Sequence, residues 1–423
     1  MDVRTIRTVG MNAPDFGVVT VPASKSYTNR ALIISTLADG VSRIRNSSTA
    51  DDSRLMIDGL RKFGIVTEET ENEIVIHGTG GKINSPETEI YVGNGGTTMR
   101  FLAGLAALAN GVTVLTGDNR MNERPISGLT KALNQLGVDI ESNNGYPPLN
   151  IYGGKIKGGA INIEANVSSQ FISSVLMIAP YAESDITLKL TGKVYSKPYI
   201  EMTLDVMRAF GAEVQQDENH YFVKSVNPYK SRTYTIENDA SSASYFFGAA
   251  ATTGGKIKVA NLSSNSKQAD IKFLDVLKKM GCEVISEPDG ITVIGNKLIG
   301  VDVDMSDMSD VVPTLAVVAV FAEGKTTIRN VAHLRYKESD RLNALATELR
   351  KLGAQVIELD DGLEITSGKL SGSEIETYND HRIVMSFAIA GLRVPNISIL
   401  NPACVKKSFP DFWEEWEKVE GSR

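Results

Sequence analysis

The sequence predicts an α/β protein made of six similar units of βαβ character, grouped into two compact bodies of three. Three observations support this fold class. The chain has 423 residues, which suggests two or three domains at roughly 150 residues each. Hydrophobic residues make up 42% of the chain and charged residues 22%, as in a globular protein with a sizeable core. Two sequence patterns also recur in phase along the whole chain.

The first pattern is an apolar helix, a glycine and a short alternating strand. Its copies are RKFG-IVTEE, NQLG-VDIES, MRAFG-AEVQQ, LKKMG-CEVIS and LRKLG-AQVIE, with glycines at positions 64, 137, 211, 281 and 353. A degraded sixth copy, FWEEWEKVEG, ends at Gly421. Each glycine suits the left-handed conformation that closes a helix. A spacing of about 70 residues is longer than the ~20–50 residues of open solenoid repeats, so compact bodies are expected instead.

The second pattern is a helix of small apolar residues, a polar or glycine stop and a β-rich run. Its copies are ALIISTLADG-VSRIRN, FLAGLAALANG-VTVLTG, FISSVLMIAPYAESD-ITLKLTG, SYFFGAAATTGG-KIKVAN, LAVVAVFAEG-KTTIRN and IVMSFAIAGLRVPN-ISILN. Helices that are apolar all round are expected to be buried on every side. Each unit therefore contains two helices and several strands.

Composition and charge exclude several classes of protein. The net charge is −7 and aromatic residues make up 7%, which argues against an RNA-end binder with an extended basic or aromatic surface. Cys282 and Cys404 are too few for a disulfide framework, and the four histidines lack zinc-type spacing. No run of ~18 apolar residues predicts a membrane span. The first residues, MDVRTIRTVG, lack a signal-peptide core, so a cytoplasmic location is expected.

Polar segments precede the buried helices of the second pattern. They read SKSYTNR, NGGTTMR, VSSQ, NDASSAS, MSDVVPT and NDHR. Helix capping explains the Ser, Thr, Asn and Asp residues, but it leaves a set of longer side chains unexplained: Lys25, Arg30, Arg100, Gln170 and Arg382. A cation is unfavourable at a helix N-terminus unless an anion is bound there. This pattern therefore predicts ligands that carry phosphate and carboxylate groups.

The NGGT segment and four charged clusters are each weak signals by themselves. NGGT lacks the GxxxxGK[ST] spacing of a nucleotide P-loop, although Gly95 and Gly96 allow a close approach of a ligand to the backbone. The clusters are NERPI (122–126), SKPYI (196–200), LRYKESDR (334–341) and KKSFPDF (406–412). Taken separately, these are equally compatible with turns, surface loops and a solvated helix face.

Taken together and in order, nine of these motifs closely resemble the 5-enolpyruvylshikimate-3-phosphate synthase family over the whole length of the chain. The motifs are SKSYTNR, GNGGTTMR, ERPI, SSQF, SKPYI, the Asp310 segment, KESDR, NDHR and KKSFPDF. The resemblance implies the enolpyruvyl transferase fold: two domains, each of three βαβαββ units with buried parallel helices in an inverted α/β barrel-like arrangement. It also implies a double-stranded hinge between the domains.

The resemblance implies transfer of the enolpyruvyl group of phosphoenolpyruvate to the 5-hydroxyl of shikimate 3-phosphate, through a tetrahedral intermediate, in chorismate and aromatic amino-acid biosynthesis. It implies no metal and no organic cofactor. The residues that it assigns to shikimate 3-phosphate are Lys25, Ser26, Arg30, Ser168, Ser169, Gln170, Ser196, Tyr199, Asp310, His333 and Lys337. The residues that it assigns to phosphoenolpyruvate are Lys25, Asn94, Gly96, Thr97, Arg124, Gln170, Arg341, Arg382 and Lys407. Lys25, Asp310 and Glu338 are the implied catalytic residues.

Two alternatives remain beside this interpretation. The sister transferase that acts on UDP-N-acetylglucosamine shares the fold, but its family carries a cysteine in the loop that here reads DNRMNER (118–124), and this chain has the SKPY motif that the sister family lacks. A non-catalytic anion-binding scaffold would be expected to lose Lys25, Asp310 and Glu338, which are all present.

The repeats predict one domain over residues 21–238 and another over 1–20 plus 239–423, with the hinge near 20–21 and 238–239. We expect the central domain to bind mainly shikimate 3-phosphate. We expect the other domain to hold the proton-transfer residues and part of the phosphoenolpyruvate site. The expected partners are the two small substrates alone, with no nucleic acid and no membrane, and the expected state is a monomer.

Overall fold

The computed structural model describes residues 2–11, 15–70 and 73–421. Within these residues the chain forms twelve α-helices: α1 Lys25–Leu37, α2 Asp51–Lys62, α3 Gly96–Leu108, α4 Ser127–Gln135, α5 Ser169–Ile178, α6 Lys197–Ala209, α7 Ala240–Thr253, α8 Phe273–Met280, α9 Val312–Ala319, α10 Arg341–Lys351, α11 His381–Gly391 and α12 Phe412–Glu420.

The strands of the described residues are β1 Val3–Thr5, β2 Asp15–Val19, β3 Val41–Arg45, β4 Thr67–Glu69, β5 Glu73–His77, β6 Ile83–Asn84, β7 Ile90–Tyr91, β8 Ala109–Thr116, β9 Asp139–Asn143, β10 Tyr146–Gly153, β11 Gly159–Glu164, β12 Ile186–Thr191, β13 Val214–Asp217, β14 His220–Val223, β15 Thr233–Thr235, β16 Lys256–Ala260, β17 Glu283–Glu287, β18 Gly290–Ile294, β19 Asp302–Asp304, β20 Lys325–Arg329, β21 Gln355–Leu359, β22 Gly362–Thr366, β23 Glu374–Ile375 and β24 Ser398–Leu400.

The predicted α/β fold of repeated units is confirmed. In the third unit, β11 runs parallel to β12, β12 pairs antiparallel with β14, and β13 completes the hairpin with β14. The chain order β11-α5-β12-α6-β13-β14 is the predicted βαβαββ unit, and its spatial strand order is β11-β12-β14-β13. The sheets of the first, fourth and fifth units have the same strand order, whereas the second has a fifth short strand and the sixth has only three strands.

Three units borrow a strand from a distant part of the sequence. Strand β15 lies parallel to β3 and opens the sheet of the first unit, whereas β2 lies parallel to β16 and opens the sheet of the fourth. Strand β1 pairs antiparallel with β24 in the sixth unit. Strands β2 and β15 lie just before the two crossings between units and supply first strands to the fourth and first sheets, whereas β1 adds a third strand to the sheet of β23 and β24.

The chain packs as two compact units, which we call the terminal unit (residues 1–22 and 238–423) and the central unit (residues 23–237). The chain therefore crosses between residues 22 and 23 and returns between 237 and 238, beside the crossing points of 20–21 and 238–239 expected from the repeats. The expected domains also contain residues 1, 12–14, 71–72, 422 and 423, which lie outside the described residues.

Each compact unit has a core of three buried helices. In the central unit these are α1, α3 and α5, and in the terminal unit α7, α9 and α11. Every residue of α3, α7, α9 and α11 is buried, as the all-round apolar pattern predicts. The helix starts meet, with Gln170 Nε2 donating to Thr97 Oγ1 at 2.8 Å and the hydroxyls of Ser244 and Thr314 lying 3.0 Å apart. The helices of each core therefore run in the same direction.

The glycines of the first pattern close the outer helices as predicted. Gly64, Gly137, Gly211, Gly281, Gly353 and Gly421 all have positive φ, between 79° and 111°. An L side chain is strained in this conformation, so the repeated glycine has a backbone cause at each unit.

Candidate active site

The start of α1 places a lysine beside a buried carboxylate. Ser24 caps the helix and Lys25 is its first residue. Lys25 Nζ donates to Asp52 Oδ2 at 2.9 Å, and the Asp52 side chain is buried. The backbone oxygen of Asp52 accepts from Thr98 Oγ1 at 3.1 Å, so this ion pair is joined to the start of α3.

Arg30 lies one turn further along α1 and is 1% exposed. Its guanidinium donates to Thr203 Oγ1 at 2.7 Å and to the backbone oxygens of Ser26 at 2.8 Å and Tyr199 at 3.0 Å. These acceptors are all neutral. Burial lowers the pKa of Arg30 to about 10, which still leaves it charged at neutral pH. The structure thus brings two predicted residues, Ser26 and Tyr199, into contact with a third, the buried cation of Arg30.

The NGGT segment packs against a second buried arginine. Arg124 Nη1 donates to the backbone oxygen of Asn94 at 3.2 Å and to Asn94 Oδ1 at 3.1 Å. Its guanidinium lies against Gly96, where an added Cβ would be 2.4 Å from Nη2. The residue is 3% exposed, and within the described part of the chain its Nε has no hydrogen-bond partner. A buried guanidinium held only by neutral oxygens is a strong anion-binding group.

The start of α5 brings the amide of Gln170 onto α3. Ser168 caps α5 through the backbone N–H of Gln170, and Gln170 bonds to both Thr97 and Arg100. Ser169 is the first residue of the helix and is buried. The predicted Ser168, Ser169, Gln170 and Thr97 therefore lie together where α3 and α5 begin.

Ser196 precedes α6 in an unusual conformation. Its φ is 55° and ψ 40°, in the left-handed region, and the residue is buried. Such backbone geometry costs on the order of 1–3 kcal/mol for a residue other than glycine. It sets the start of the helix that carries Tyr199.

The terminal unit holds a network of alternating charges around Asp310. Arg382 Nη2 donates to Asp310 Oδ2 at 2.7 Å, and Arg341 Nη1 donates to Oδ1 at 3.3 Å. Lys337 Nζ lies 3.9 Å from the same carboxylate. Arg341 also donates to Glu338 Oε2 at 2.8 Å. The structure thus brings all five of these predicted residues together in one cluster.

Asp380 orders the two arginines of this cluster. It caps α11 through the backbone N–H of Arg382 at 3.0 Å. Its side chain accepts from Arg341 Nε at 2.8 Å and from the hydroxyl of Ser339 at 3.0 Å. Because Asp380 is completely buried, it fixes the direction in which Arg341 points.

The network shifts several pKa values. Burial alone would raise the pKa of Asp310, but Arg382, Lys337 and Arg341 together hold it well below the ordinary range. Burial would lower the pKa of Arg341, and the carboxylates of Asp380, Glu338 and Asp310 outweigh it and raise this pKa. Asp270 differs, because burial and the nearby Asp310 carboxylate raise its pKa to about 7, against the opposing effect of Arg382.

The remaining predicted residues lie in short 3-10 helices of the terminal unit. His333 is buried within Ala332–Tyr336. Lys407 ends Pro402–Lys407 and is half-buried.

One expectation needs correction. The sequence pattern predicts that only bound anions can offset the cations at the helix starts, but two of these cations already pair with carboxylates of the protein, Lys25 with Asp52 and Arg382 with Asp310. Arg341, which begins α10, is likewise paired with Asp380 and Glu338. Arg30 and Arg100 also stand a turn inside their helices. The reason is that buried cations need a counter-charge in the folded protein itself, and these carboxylates supply one.

Several residues of the site carry no signal in the local sequence. Asp52 lies 27 positions from its partner Lys25, and Asp270 bonds to the Ser241 hydroxyl 29 positions away. Tyr245, from α7, accepts from Arg382 at 3.3 Å. Only the meeting of helix starts from different repeats identifies them, although NDHR already indicates Asp380 through its place before Arg382.

Within the ranges 2–11, 15–70 and 73–421, no group of histidine, cysteine, aspartate and glutamate side chains has a geometry able to hold a metal ion. In the same part of the chain, no helix combines the length and apolar character needed to cross a membrane.

The chain is similar over almost its whole length to known proteins. A sequence profile described as EPSP synthase (3-phosphoshikimate 1-carboxyvinyltransferase) matches residues 13–416. The 3-phosphoshikimate 1-carboxyvinyltransferase of Trichormus variabilis is 43% identical over 423 residues, covering 99% of both chains. The protein of that name from Colwellia psychrerythraea is 44% identical over 95% of this chain and 96% of its own. The EPSP synthase structure from Acinetobacter baumannii superposes with a TM-score of 0.82 at 28% identity, covering 99% of this chain and 98% of that one.

Proposed function

The chain belongs to the EPSP synthase (3-phosphoshikimate 1-carboxyvinyltransferase) family, and from this premise we propose which residues bind each substrate and move the protons. The enzyme transfers the enolpyruvyl group of phosphoenolpyruvate to shikimate 3-phosphate, a reaction of the shikimate pathway toward aromatic amino acids. The acceptor UDP-N-acetylglucosamine is not favoured, because the relatives carry the shikimate name.

We propose that the central unit binds shikimate 3-phosphate mainly through residues around Arg30. Hydroxyl groups, an amide and one aromatic ring suit a polyhydroxylated ring that bears a phosphate. The proposed set is Lys25, Ser26, Arg30, Ser168, Ser169, Gln170, Ser196 and Tyr199. In the terminal unit, we assign Asp310, His333 and Lys337 to shikimate 3-phosphate as well. What supports it in the structure is the shared hydrogen bonding of Ser26 and Tyr199 to Arg30.

The single observation that carries the proposal for phosphoenolpyruvate is the buried environment of the Arg124 guanidinium. Its guanidinium is buried, rests on Asn94 and Gly96, and has only neutral acceptors among the described residues, so an anionic group is the expected further partner. Lys25, Thr97 and Gln170 begin the neighbouring helices. In the terminal unit we assign Arg341, Arg382 and Lys407 to the same substrate.

We propose that Asp310 accepts the proton of the attacking 5-hydroxyl group. A carboxylate whose pKa lies well below its ordinary range is a weak base. An anion bound to Arg382 and Arg341 would share the charge that now lowers this pKa, and the basicity of Asp310 would rise. Proton transfer at Asp310 would then follow binding of phosphoenolpyruvate rather than precede it.

We propose that Glu338, with Lys25, handles the proton at the methylene carbon. Arg341 donates to Glu338 at 2.8 Å, an interaction that favours the ionised form. The same competition for Arg341 by a bound anion would favour protonation of Glu338. The methylene must gain a proton during addition and lose it during elimination, so one carboxyl group able to hold and release a proton fits both steps.

We propose that the compact units are the two domains expected from the repeats, with Asp310 and Glu338 in the terminal one. A monomeric state and a cytoplasmic location likewise stay proposals. Light scattering after size-exclusion chromatography tests the first, because a dimer would contradict it.

The activity is tested by phosphate release from a mixture of phosphoenolpyruvate and shikimate 3-phosphate. We expect release only when both are present, and no release when UDP-N-acetylglucosamine replaces shikimate 3-phosphate. Arg124→Met should raise the KM for phosphoenolpyruvate about 10–100-fold, since a charged hydrogen bond contributes about 1.5–3 kcal/mol.

Arg120→Met is the matched control, because Arg120 stands four residues earlier and pairs with Glu123. It should leave the KM for phosphoenolpyruvate near the wild-type value. A folded Arg124→Met variant with an unchanged KM for phosphoenolpyruvate would show that this substrate binds elsewhere.

A further inference from the structure

The loop between β23 and α11 has a strained backbone next to the charged cluster. Tyr378 and Asn379 both have a φ of 53°, so two consecutive residues other than glycine are left-handed. Each costs roughly 1–2 kcal/mol relative to ordinary geometry, and a tyrosine is much rarer there than an asparagine. The next residue is Asp380, which directs Arg341 and Arg382. Other contacts must therefore hold this loop in place.

A buried glutamate on α10 supplies those contacts. Glu348 is completely buried. Its Oε1 accepts from the hydroxyl of Tyr378 at 2.8 Å, and its Oε2 accepts from the backbone N–H of Glu376 at 3.1 Å. Lys351 Nζ donates to Oε2 at 2.9 Å. Burial and the hydrogen bond to Glu348 raise the pKa of Tyr378 well above its ordinary value, so the hydroxyl remains a donor.

The carboxylate of Glu376 braces the same loop from within. Its Oε1 accepts from the backbone N–H of Thr377 at 2.9 Å and from that of Tyr378 at 3.1 Å. The backbone N–H of Asp380 then donates to the oxygen of Thr377 at 2.8 Å. Residues 376–378 are thus bonded to Glu348 through Glu376 and Tyr378, and to Asp380 through Thr377.

Helix α10 therefore holds this loop at two points. Arg341, its first residue, bonds to Asp380, and Glu348 bonds to Glu376 and Tyr378. Seven residues separate Arg341 from Glu348, which is about two helical turns and places them on one face roughly 10 Å apart. The face of α10 that carries an active-site arginine thus also fixes the backbone that delivers Asp380.

We propose that Glu348 and Tyr378 are positioning residues for phosphoenolpyruvate binding: together they hold the loop 376–379 so that Asp380 orients Arg341 and Arg382. This inference rests on the proposed assignment of both arginines to that substrate. A buried carboxyl group is costly, and an apolar residue of similar size at such a position is often as stable or more stable. Glu348 thus does more at this position than fill space, because it selects one loop geometry.

Tyr378→Phe is the principal test, since it removes one hydroxyl and leaves Glu348 with its other two donors. We expect the KM for phosphoenolpyruvate to rise about 3–10-fold, in line with the loss of one hydrogen bond. The KM for shikimate 3-phosphate should stay within twofold of wild type. Glu348→Leu should raise the KM for phosphoenolpyruvate further, and Glu348→Gln, which keeps an acceptor oxygen, should recover part of the loss.

Lys351→Met is the matched control, because it removes the partly exposed third donor to Glu348 and leaves the loop contacts in place. It should keep the KM for phosphoenolpyruvate within twofold of wild type. If Tyr378→Phe and Glu348→Leu lower the melting temperature but keep a wild-type KM for phosphoenolpyruvate, the positioning role is wrong. If Glu348→Leu does not fold, Tyr378→Phe decides alone.

Arg382→Gln separates this inference from the proposed function. A large rise in the KM for phosphoenolpyruvate in Arg382→Gln, with none in Tyr378→Phe, would reject only the positioning role. An unchanged KM for phosphoenolpyruvate in Arg382→Gln would reject the assignment of that arginine itself.

Discussion

Buried arginines occur in two electrostatic settings in this protein. Arg30 and Arg124 are held by neutral oxygens, whereas Arg341 and Arg382 are paired with carboxylates. An anion that reaches Arg124 meets a cation whose acceptors, in the part of the chain that the structure describes, are neutral. An anion that reaches Arg341 or Arg382 must share it with Asp310, Glu338 or Asp380. Under the proposed assignment, an anion bound to Arg382 and Arg341 would compete for the charge that lowers the pKa of Asp310, and this carboxylate would become a stronger base.

Asp270 makes the stability of the folded protein depend on pH. Its pKa is raised to about 7, first by burial and then by Asp310, so the folded protein holds a proton that the unfolded chain loses near pH 4. The folded state therefore binds more protons between these values, and its stability falls as pH rises through them. We predict that Asp270→Asn, which stays neutral and can still bond to Ser241, gains stability relative to wild type between pH 5 and 7, by on the order of 2 kcal/mol.

Urea unfolding of both proteins across this pH range measures the difference in unfolding free energy. Asp275→Asn, the same chemical change on an exposed position of α8, is the control. A difference between Asp270→Asn and wild type that does not vary with pH would contradict the prediction.

The sequence predicts the cations of the site better than their counter-charges. Lys25, Arg30 and Arg382 stand out because helix capping does not explain them. Asp52 and Asp270 do not, since acidic residues near a helix start are also ordinary capping or surface residues. Their role depends on which helix starts meet in three dimensions. Asp52 is 27 positions from Lys25, and Asp270 is 29 positions from Ser241, so no local sequence feature shows these contacts.

At the scale of elements, the last helix shows how the degraded sixth copy keeps its place. Trp416 of α12 is completely buried and stacks on Phe412 at a centroid distance of 5.2 Å, with Phe246 of α7 at 5.7 Å. The FWEEW spacing puts Phe412 and Trp416 one turn apart on the same face of the helix. Aromatic packing on α7 thus holds α12 against the core of the terminal unit.

We predict that Trp416→Ala destabilises the terminal unit by about 3–5 kcal/mol, because it leaves a large cavity among aromatic rings. Chemical denaturation followed by circular dichroism measures the loss. Trp413→Ala is the control on the same helix, since Trp413 is only partly buried and bonds to the Pro402 oxygen at 3.0 Å. Equal destabilisation by the two substitutions would contradict the assignment of Trp416 to the core.

The repeat pattern predicts the helices and their closing glycines but not the exchanged strands. Each copy of the pattern contains helices long enough to show their periodicity, whereas β15 and β1 have only three residues each. A three-residue strand carries no periodic signal. Its place in a sheet is set by where the chain crosses between units, which no local feature of the sequence reports.

At the scale of the whole molecule, the exchanged strands decide which segments can fold alone. The central unit is one continuous segment, and its two ends are tied together by the bond from the Ser24 N–H to the Glu237 oxygen at 2.8 Å. Strand β15 lies just before that end and completes the first sheet beside β3. The terminal unit, in contrast, needs β1 and β2 from the other end of the sequence.

We predict that a fragment of residues 23–237 folds cooperatively by itself, whereas a fragment of residues 23–231 is weaker by about 3–5 kcal/mol. The shorter fragment lacks β15 and buried Ile236, whose N–H donates to the Arg45 oxygen at 2.9 Å. Several backbone hydrogen bonds at about 1 kcal/mol each, together with one buried isoleucine side chain, account for this difference. Urea unfolding of the two fragments measures it. Equal unfolding midpoints would mean that β15 adds nothing to the central unit. An unfolded 23–237 fragment would mean that this unit depends on the rest of the chain, although all strands of its sheets lie within the fragment.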